Sequence, residues 1–273
     1  MLQPVNTRVS KISLIVSTYN WPLALKKCLE SILALRTMPD EVIIADDGSA
    51  EETKQLIDYY KTKFQIPVLH VWQPDEGFQL AKIRNKAFAT SSGEYIIQID
   101  GDLILHPCFI EDHVRIAQRG FFLTGSRVIL HERMTKEILE DYFQHDDGLR
   151  NKKNRLNGMH SFMVQRLLSR VYKTTGQHKF YVKGCNMSFW KNDLVKVNGY
   201  NESFIGWGRE DSELAIRLIN SGVKKKFLKM GGIVYHLYHK ESSRLQERAN
   251  IDLMNNAIKQ KITWCEVGIN QYL

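Results

Sequence analysis

An apolar run, Tyr95-Ile96-Ile97-Gln98-Ile99, stops abruptly at Asp100-Gly101-Asp102. A run rich in Ile and Tyr without Pro reads as a buried strand, so the two carboxylates emerge at its carboxyl end, where open α/β sheets bind ligands. Residues at i and i+2 of a strand point to the same side, and the intervening glycine permits a tight turn. Two like charges so close repel, and a divalent cation such as Mg2+ or Mn2+ keeps both ionised. A bare D-x-D also occurs in solvated loops; the strand before this one favours an ion site.

A second acidic pair, Glu210-Asp211, opens a helix, where free N–H groups and the helix dipole favour a charged carboxylate. Acidic first turns also serve only to stabilise helices. Here Gly206-Trp207-Gly208 precedes the pair: small residues admit a close approach, and an indole offers a flat apolar face on which a sugar ring can stack. His236 follows a short strand and could join Asp102 around a cation, with His239 as its rival. A lone histidine is more often structural, and no H-E-x-x-H zinc pattern occurs. Arg84 and Asn85 sit on a helical stretch, where the arginine could grip a carboxylate or diphosphate with two parallel hydrogen bonds, or could be an exposed charge. No G-x-G-x-x-G or G-x-x-x-x-G-K-[ST] is present, which counts against a dinucleotide fold and a P-loop.

These residues must be positioned by ordinary globular elements. The chain has 273 residues, 43% of them hydrophobic, enough for one large α/β domain. Ile12 to Ser17, Glu41 to Ala45, Val68 to Trp72 and Tyr95 to Ile99 read as strands, with helical patterns following Pro22, Glu51 and Leu80. That alternation predicts right-handed βαβ crossovers and a mostly parallel sheet flanked by helices, with Tyr19, Asp46-Asp47 and Asp100-Asp102 on one rim. A helix from His106-Pro107 through Ala117, strands at Phe121 to Ser126, Tyr181 to Trp190, Lys226 to Lys229 and Ile233 to Tyr235, and helices at Asp193 to Val197 and Ser212 to Ser221 follow. From His131 to His178 the pattern weakens: Leu139, Tyr142 and Phe143 suggest one helix, Phe162 to Val171 another, with the basic loop Asn151-Lys152-Lys153-Asn154-Arg155 between them. That loop could touch phosphate or acidic lipid, though a charge run is usually solvated surface. Arg244 to Ile262 is helical by propensity, with Leu245, Ile251, Met254 and Ile258 near one face.

A net charge of +8 favours anionic partners without choosing among nucleotides, nucleic acid and phospholipid. Cys28, Cys108, Cys185 and Cys265 are widely spaced, which predicts free thiols in a reducing compartment. Met1 to Ser10 lacks a signal-peptide core and no run approaches the roughly 20 apolar residues of a membrane span, so the expected location is cytoplasmic.

Taken in order, Val16-Ser17-Thr18-Tyr19-Asn20, Ala45-Asp46-Asp47-Gly48-Ser49, Glu76 to Asn85, Ile99 to Asp102, Lys183-Gly184-Cys185-Asn186 and Gly206 to Asp211 resemble family 2 of the GT-A glycosyltransferases. The C-terminal part is similar to the galactosyltransferase-type module of β1,4-galactosyltransferases and chondroitin polymerases. The resemblance implies a single GT-A domain over 1–273: a Rossmann-like nucleotide-sugar-binding half at about 10–127, an acceptor and catalytic half at about 128–240, and a helical tail at about 241–273. It implies that Thr18, Tyr19, Asp46 and Asp47 hold the base of a nucleotide-sugar donor, expected to be a UDP-sugar, with Arg84 near the base or diphosphate. Asp100 would contact the ribose, beside Gly101, while Asp102 and His236 would bind Mn2+ or Mg2+. Asp211 would be the catalytic base of an inverting transfer, with Glu210 and Trp207 orienting acceptor and donor sugar. The acceptor would be a saccharide or lipid-linked saccharide in bacterial surface polysaccharide or lipopolysaccharide synthesis, at the inner face of a membrane, with no nucleic acid partner.

The run E-D-S is shorter than the acidic string of the galactosyltransferase pattern, and His236-Leu237-Tyr238-His239 offers two histidines where the module needs one. A metal-dependent nucleotidyltransferase would also use paired carboxylates, but Ser17-Thr18-Tyr19-Asn20 is no Gly-rich, Lys-containing phosphate loop. A non-enzymatic basic module for polysaccharide or nucleic acid would cluster its cations with aromatics, whereas the clearest signature here is acidic.

Overall fold

The computed structural model describes residues 9–140, 155–240 and 246–273. Its first half alternates strand and helix: β1 (Ile12–Thr18), α1 (Pro22–Leu33), β2 (Glu41–Asp46), α2 (Glu51–Lys61), β3 (Val68–Trp72), α3 (Leu80–Thr90) and β4 (Tyr95–Asp100). β1 pairs in parallel with both β2 and β4, with Thr18 opposite Asp46 and Ser17 opposite Asp100. The three polar loops therefore share one rim, as the alternation predicts. Beyond β4, the sheet is completed by β8 (Asn186–Trp190), β6 (Phe121–Gly125) and β9 (Lys224–Leu228), in the order β3-β2-β1-β4-β8-β6-β9. β8 runs antiparallel to both β4 and β6, and the remaining pairings are parallel.

β1, β2 and β4 are buried along almost their whole length because both faces are covered. Leu14 and Val16 pack with Leu25, Leu29 and Ile32 of α1 on one face. Ile15 and Ile43 pack with Ile83, Ala87 and Phe88 of α3, and with Leu214 and Leu218 of α8 (Glu210–Asn220), on the other. Each fully buried Leu or Ile contributes about 1.5–3 kcal/mol of transfer free energy.

Two short strands went unread in the sequence. β5 (Leu103–Leu105) and β7 (Arg127–Ile129) flank β10 (Val234–His236) in a second, three-stranded sheet. At three residues each they carry no periodicity to detect. Helix α4 (Phe109–Ile116), α5 (Glu132–Leu139), α6 (Phe162–Leu168) and α7 (Lys191–Lys196) connect the later strands. Tyr142, Phe143 and Asn151 to Asn154 lie outside the described residues. α9 (Glu247–Lys259) forms as its propensity predicts, and the structure shows what its apolar side meets. Asn250 and Ala257 are the buried residues, while Met254 and Ile258 border the cleft described below, so the apolar face lines a groove instead of the core. All four cysteines are free and buried, and no helix among the described residues is long and apolar enough to cross a membrane.

The helix that carries Glu210 and Asp211 is fixed by a buried ion pair further along it. Arg217 donates to both oxygens of Glu213, at 2.7 and 2.8 Å, and to the carbonyl of Val197. Removing one partner strands the other charge in the interior. Glu213→Ala should therefore lower the unfolding free energy by about 3–5 kcal/mol, read as a drop in the urea midpoint at unchanged slope.

Candidate active site

A cleft of about 1100 Å³ opens at the carboxyl ends of β1 and β4, between them and the start of α8. Every residue given a site role from the sequence borders it except Asp46. The Asp46 carboxylate lies beneath the rim, accepting from the Ser49 backbone at 2.8 Å and meeting His70 Nε2 at 2.9 Å. It shapes the loop that Asp47 presents. Asp47 accepts from Gln73 at 2.6 Å and from the Gln79 backbone at 2.9 Å, and burial raises its pKa to about 6 against those bonds. Tyr19 is half exposed and donates to Asp75 at 2.9 Å.

Arg84 is the centre of the arrangement. Its guanidinium is buried and donates to Asp100 Oδ1 at 2.8 Å, to Asp211 Oδ1 at 2.9 Å and to Ser17 Oγ at 3.2 Å. Burial works against its charge, but Tyr200, Asp211 and Asp100 outweigh burial and hold it a cation. The arginine is thus neither an exposed charge nor free to grip a diphosphate, because its fork already ties the end of β4 to the start of α8. For Asp100, burial raises the pKa to about 6 despite the guanidinium.

Asp211 has a second anchor that the sequence did not signal. The Tyr200 hydroxyl donates to Asp211 Oδ1 at 2.6 Å and accepts from Gln98 at 2.9 Å. Asn85 aligns that tyrosine by bonding both its backbone N–H, at 2.7 Å, and its carbonyl, at 2.8 Å. The other oxygen, Oδ2, faces Gly184: a Cβ there would lie 1.6 Å from it. A fixed carboxylate with one oxygen committed and one turned to a cleft is suited to accept a proton.

Glu210 is buried, and its Oε2 has no hydrogen-bond partner among the described residues. Burial, with the Asp211 charge beside it, raises its pKa to about 8, which favours the protonated form at neutral pH. Trp207 stands half-buried on the cleft wall, in a loop whose turns at Gly206, Gly208 and Arg209 all have positive φ, of 74°, 106° and 78°.

Across the cleft, the small sheet brings Asp102 to two histidines. β10 runs antiparallel to β5 with His236 opposite Leu103, and the Leu237 N–H donates to the Asp102 carbonyl at 3.0 Å. Asp102 Oδ2 lies 3.4 Å from His236 Nε2 and 3.2 Å from His239 Nε2. One ligand atom from each of the three falls within 4.8 Å of the others. Asp102 Oδ1 is buried with no partner among the described residues, an orphan that a cation would satisfy. Burial lowers the pKa of His236, leaving a neutral ligand, whereas the hydrogen bond to Asp102 raises His239 to about 9. Both histidines reach the carboxylate, so geometry does not discard either. Gly101 is needed here too, since a Cβ would lie 3.0 Å from the Ser17 carbonyl that its own N–H meets at 2.7 Å.

Because a methyl group at residue 184 cannot coexist with Asp211 in place, Gly184→Ala should lower kcat with a nucleotide-sugar donor by about 10²-fold while leaving donor affinity near wild type. Steady-state kinetics beside donor titration reads both quantities.

The description "Glycosyl transferase family 2" matches residues 13–166, more than half of the chain, and "N-terminal domain of galactosyltransferase" matches residues 168–240. The chain is 27% identical over 248 residues to a chondroitin synthase of Pasteurella multocida, covering 86% of this chain and 25% of that protein. It is 25% identical over 252 residues to validoxylamine A glucosyltransferase of Streptomyces hygroscopicus, covering 81% and 53%. The chain thus spans a quarter to about half the length of these relatives. Among solved structures, the mannosyltransferase PcManGT of Pyrobaculum calidifontis, in complex with GDP-Man and Mn2+, superposes with a TM-score of 0.64 at 16% identity, covering 92% of this chain and 65% of that one. TarS 1–349 of S. aureus with UDP-GlcNAc gives 0.65 at 15%, covering 96% and 69%. With the fold of GT-A glycosyltransferases and a family match over most of its first 166 residues, the chain belongs to glycosyl transferase family 2.

Proposed function

We propose that this chain is a metal-dependent, inverting glycosyltransferase that moves a hexose or N-acetylhexosamine from a UDP donor to a saccharide hydroxyl, in assembly of bacterial surface polysaccharide or lipopolysaccharide. The observation that carries the reading is Asp211: Arg84 and Tyr200 hold one of its oxygens, and its residue borders the same cleft as Asp102 and the two histidines. The acceptor hydroxyl attacks the anomeric carbon and gives its proton to Asp211 as the bond from that carbon to the diphosphate oxygen breaks. Attack opposite the leaving group inverts the configuration.

Thr18, Tyr19 and Asp47 receive the base on the β1 and β2 rim, and Asp100 meets the ribose. Asp46 supports this loop from below. Asp102, His236 and His239 would hold Mn2+ or Mg2+, which supplies Lewis-acid neutralisation of the diphosphate charge. Protonated Glu210 donates a hydrogen bond toward the acceptor, and Trp207 offers its ring to a sugar face. Solved neighbours carrying UDP-GlcNAc, or GDP-Man with Mn2+, support a nucleotide-sugar donor, and the chondroitin synthase relative supports a saccharide acceptor. The setting is the cytoplasmic face of a membrane, with a lipid-linked saccharide as one form of the acceptor.

A hydrolysis and transfer screen of UDP-, GDP- and dTDP-sugars, with and without Mn2+, tests the reading. Turnover of a UDP-sugar that EDTA abolishes is expected, and Asp211→Asn should cut kcat by about 10²–10⁴-fold with donor binding intact. Wild-type turnover in that variant, or in Asp102→Asn, would remove those residues from their roles.

The pH dependence has a definite sign. Glu210 has a pKa of about 8 in the folded protein, above the ordinary carboxylate value, so its proton is present at neutral pH and lost as pH rises through 8. Ionisation there adds a charge beside Asp211 and removes a donor. The kcat/KM profile should fall on its alkaline side near pH 8, and Glu210→Gln should flatten that limb; an unchanged limb in the variant assigns it to another group.

A further inference from the structure

α6 is amphipathic in the reverse sense of a packed helix. Met163, Leu167 and Val171, at i, i+4 and i+8, are 80%, 73% and 68% exposed, while Gln165 and Ser169 between them are buried. The buried side is held by polar bonds: Gln165 donates to the Asp112 carbonyl at 3.3 Å, and the Phe227 N–H donates to the Ser169 carbonyl at 3.0 Å. The chain stays coiled past α6, with the Val171 and Tyr172 N–H groups bonded to the Leu168 carbonyl. Leu156 and Met159, on the approach to α6, are exposed as well. A helix normally turns its apolar stripe to the core. This one presents it to the outside.

The stretch of sequence that holds the stripe carries charge of one sign. Between Leu156 and Asn192 there is no acidic residue, and Lys or Arg stands at 166, 170, 173, 179, 183 and 191. Arg166 is exposed, Arg170 bonds the neutral amide of Gln118, and Lys173 and Lys179 lie over the rings of Tyr181 and Phe180. Their field is felt beneath the surface. Burial and then the Lys173 charge lower Lys225 to about 8, and burial and then Arg170 do the same to Lys226. The surface also runs into the cleft: Lys225 bonds the carbonyls of His178 and Tyr181, at 2.6 and 2.8 Å, and Phe180 to Lys183 border the active site.

We infer that α6 and the turn after it form a seat for an anionic phospholipid bilayer, in which Met163, Leu167 and Val171 enter the interface and Arg166, Arg170 and Lys173 meet the headgroup phosphates. Apolar side chains flanked by cations are what an interfacial helix requires, since neither the apolar area nor the charge suffices alone. A bilayer on this side lies beside the wall through which a lipid-linked acceptor would reach Asp211. The inference rests on the membrane setting of the proposed function and on none of its chemistry.

Flotation of the full chain with phosphatidylglycerol-rich vesicles, against pure phosphatidylcholine vesicles, tests it. Binding to the anionic vesicles, weakened by salt, is expected. Both Met163→Ser/Leu167→Ser/Val171→Ser and Arg166→Gln/Arg170→Gln should lose at least about tenfold in vesicle affinity. All these side chains are exposed and outside the cleft, so Tm and hydrolysis of a soluble donor should not move. Donor hydrolysis reports on the enzymatic reading and flotation on this one, so either can fail alone. Equal binding of either variant and wild type, equal binding to both vesicle types, or no binding at all would overturn the inference. So would a lipid-free dimer that the triple variant dissolves, which would give this face to a second copy.

Discussion

The Arg84 guanidinium sits where two carboxylates of one cleft would otherwise confront each other. Asp100 belongs to the end of β4 and Asp211 to the start of α8, elements separated by more than a hundred residues of chain. A buried cation that donates to both fixes their separation. The energetic asymmetry of such groups explains the supporting cast: a buried charge costs several kcal/mol unless its hydrogen bonds are filled, so Ser17, Tyr200 and Gln98 complete the network. Precision in the position of Asp211 follows from the need to satisfy Arg84.

The two sides of the cleft are held by different means. On the α8 side, hydrogen bonds to Tyr200, the Asn85 clamp on its backbone and the absence of a Cβ at Gly184 leave the carboxylate one place to be. On the other side, the register of β10 against β5 sets Asp102 next to His236, and the chain continuing from β10 returns His239 to the same oxygen. Neutral His236 and the orphaned oxygen of Asp102 favour an incoming cation. Burial and the Asp211 charge favour the protonated form of Glu210, which limits the negative charge beside Asp211.

Burial on the remaining flank is inverted. α9 gives its small and polar side to α8 and leaves Met254 and Ile258 to wall the cleft, and α6 gives Gln165 and Ser169 to the interior and its apolar side chains to the surface. In both helices the fold leaves apolar side chains uncovered, at the cleft wall in the first and on the outer surface in the second.

The sequence by itself determined the parallel half of the sheet, because doubly buried strands must be apolar runs and each ended visibly in polar residues. It also determined the candidate carboxylates at Asp100, Asp102, Glu210 and Asp211, since their spacing against strand and helix boundaries is local information. What the tertiary structure decided is what depends on contact between distant segments. Tyr200, Gln98 and Gly184 gain their roles only when β4, β8 and α8 meet, Asp46 proves to lie under the loop that Asp47 displays, and Arg84 turns from a candidate diphosphate contact into a bridge between carboxylates. The three-residue strands β5 and β7 that flank β10 have too short a pattern to read, and the facing of α6 and α9 was hidden because periodicity reveals that a helix has an apolar side without revealing what that side meets.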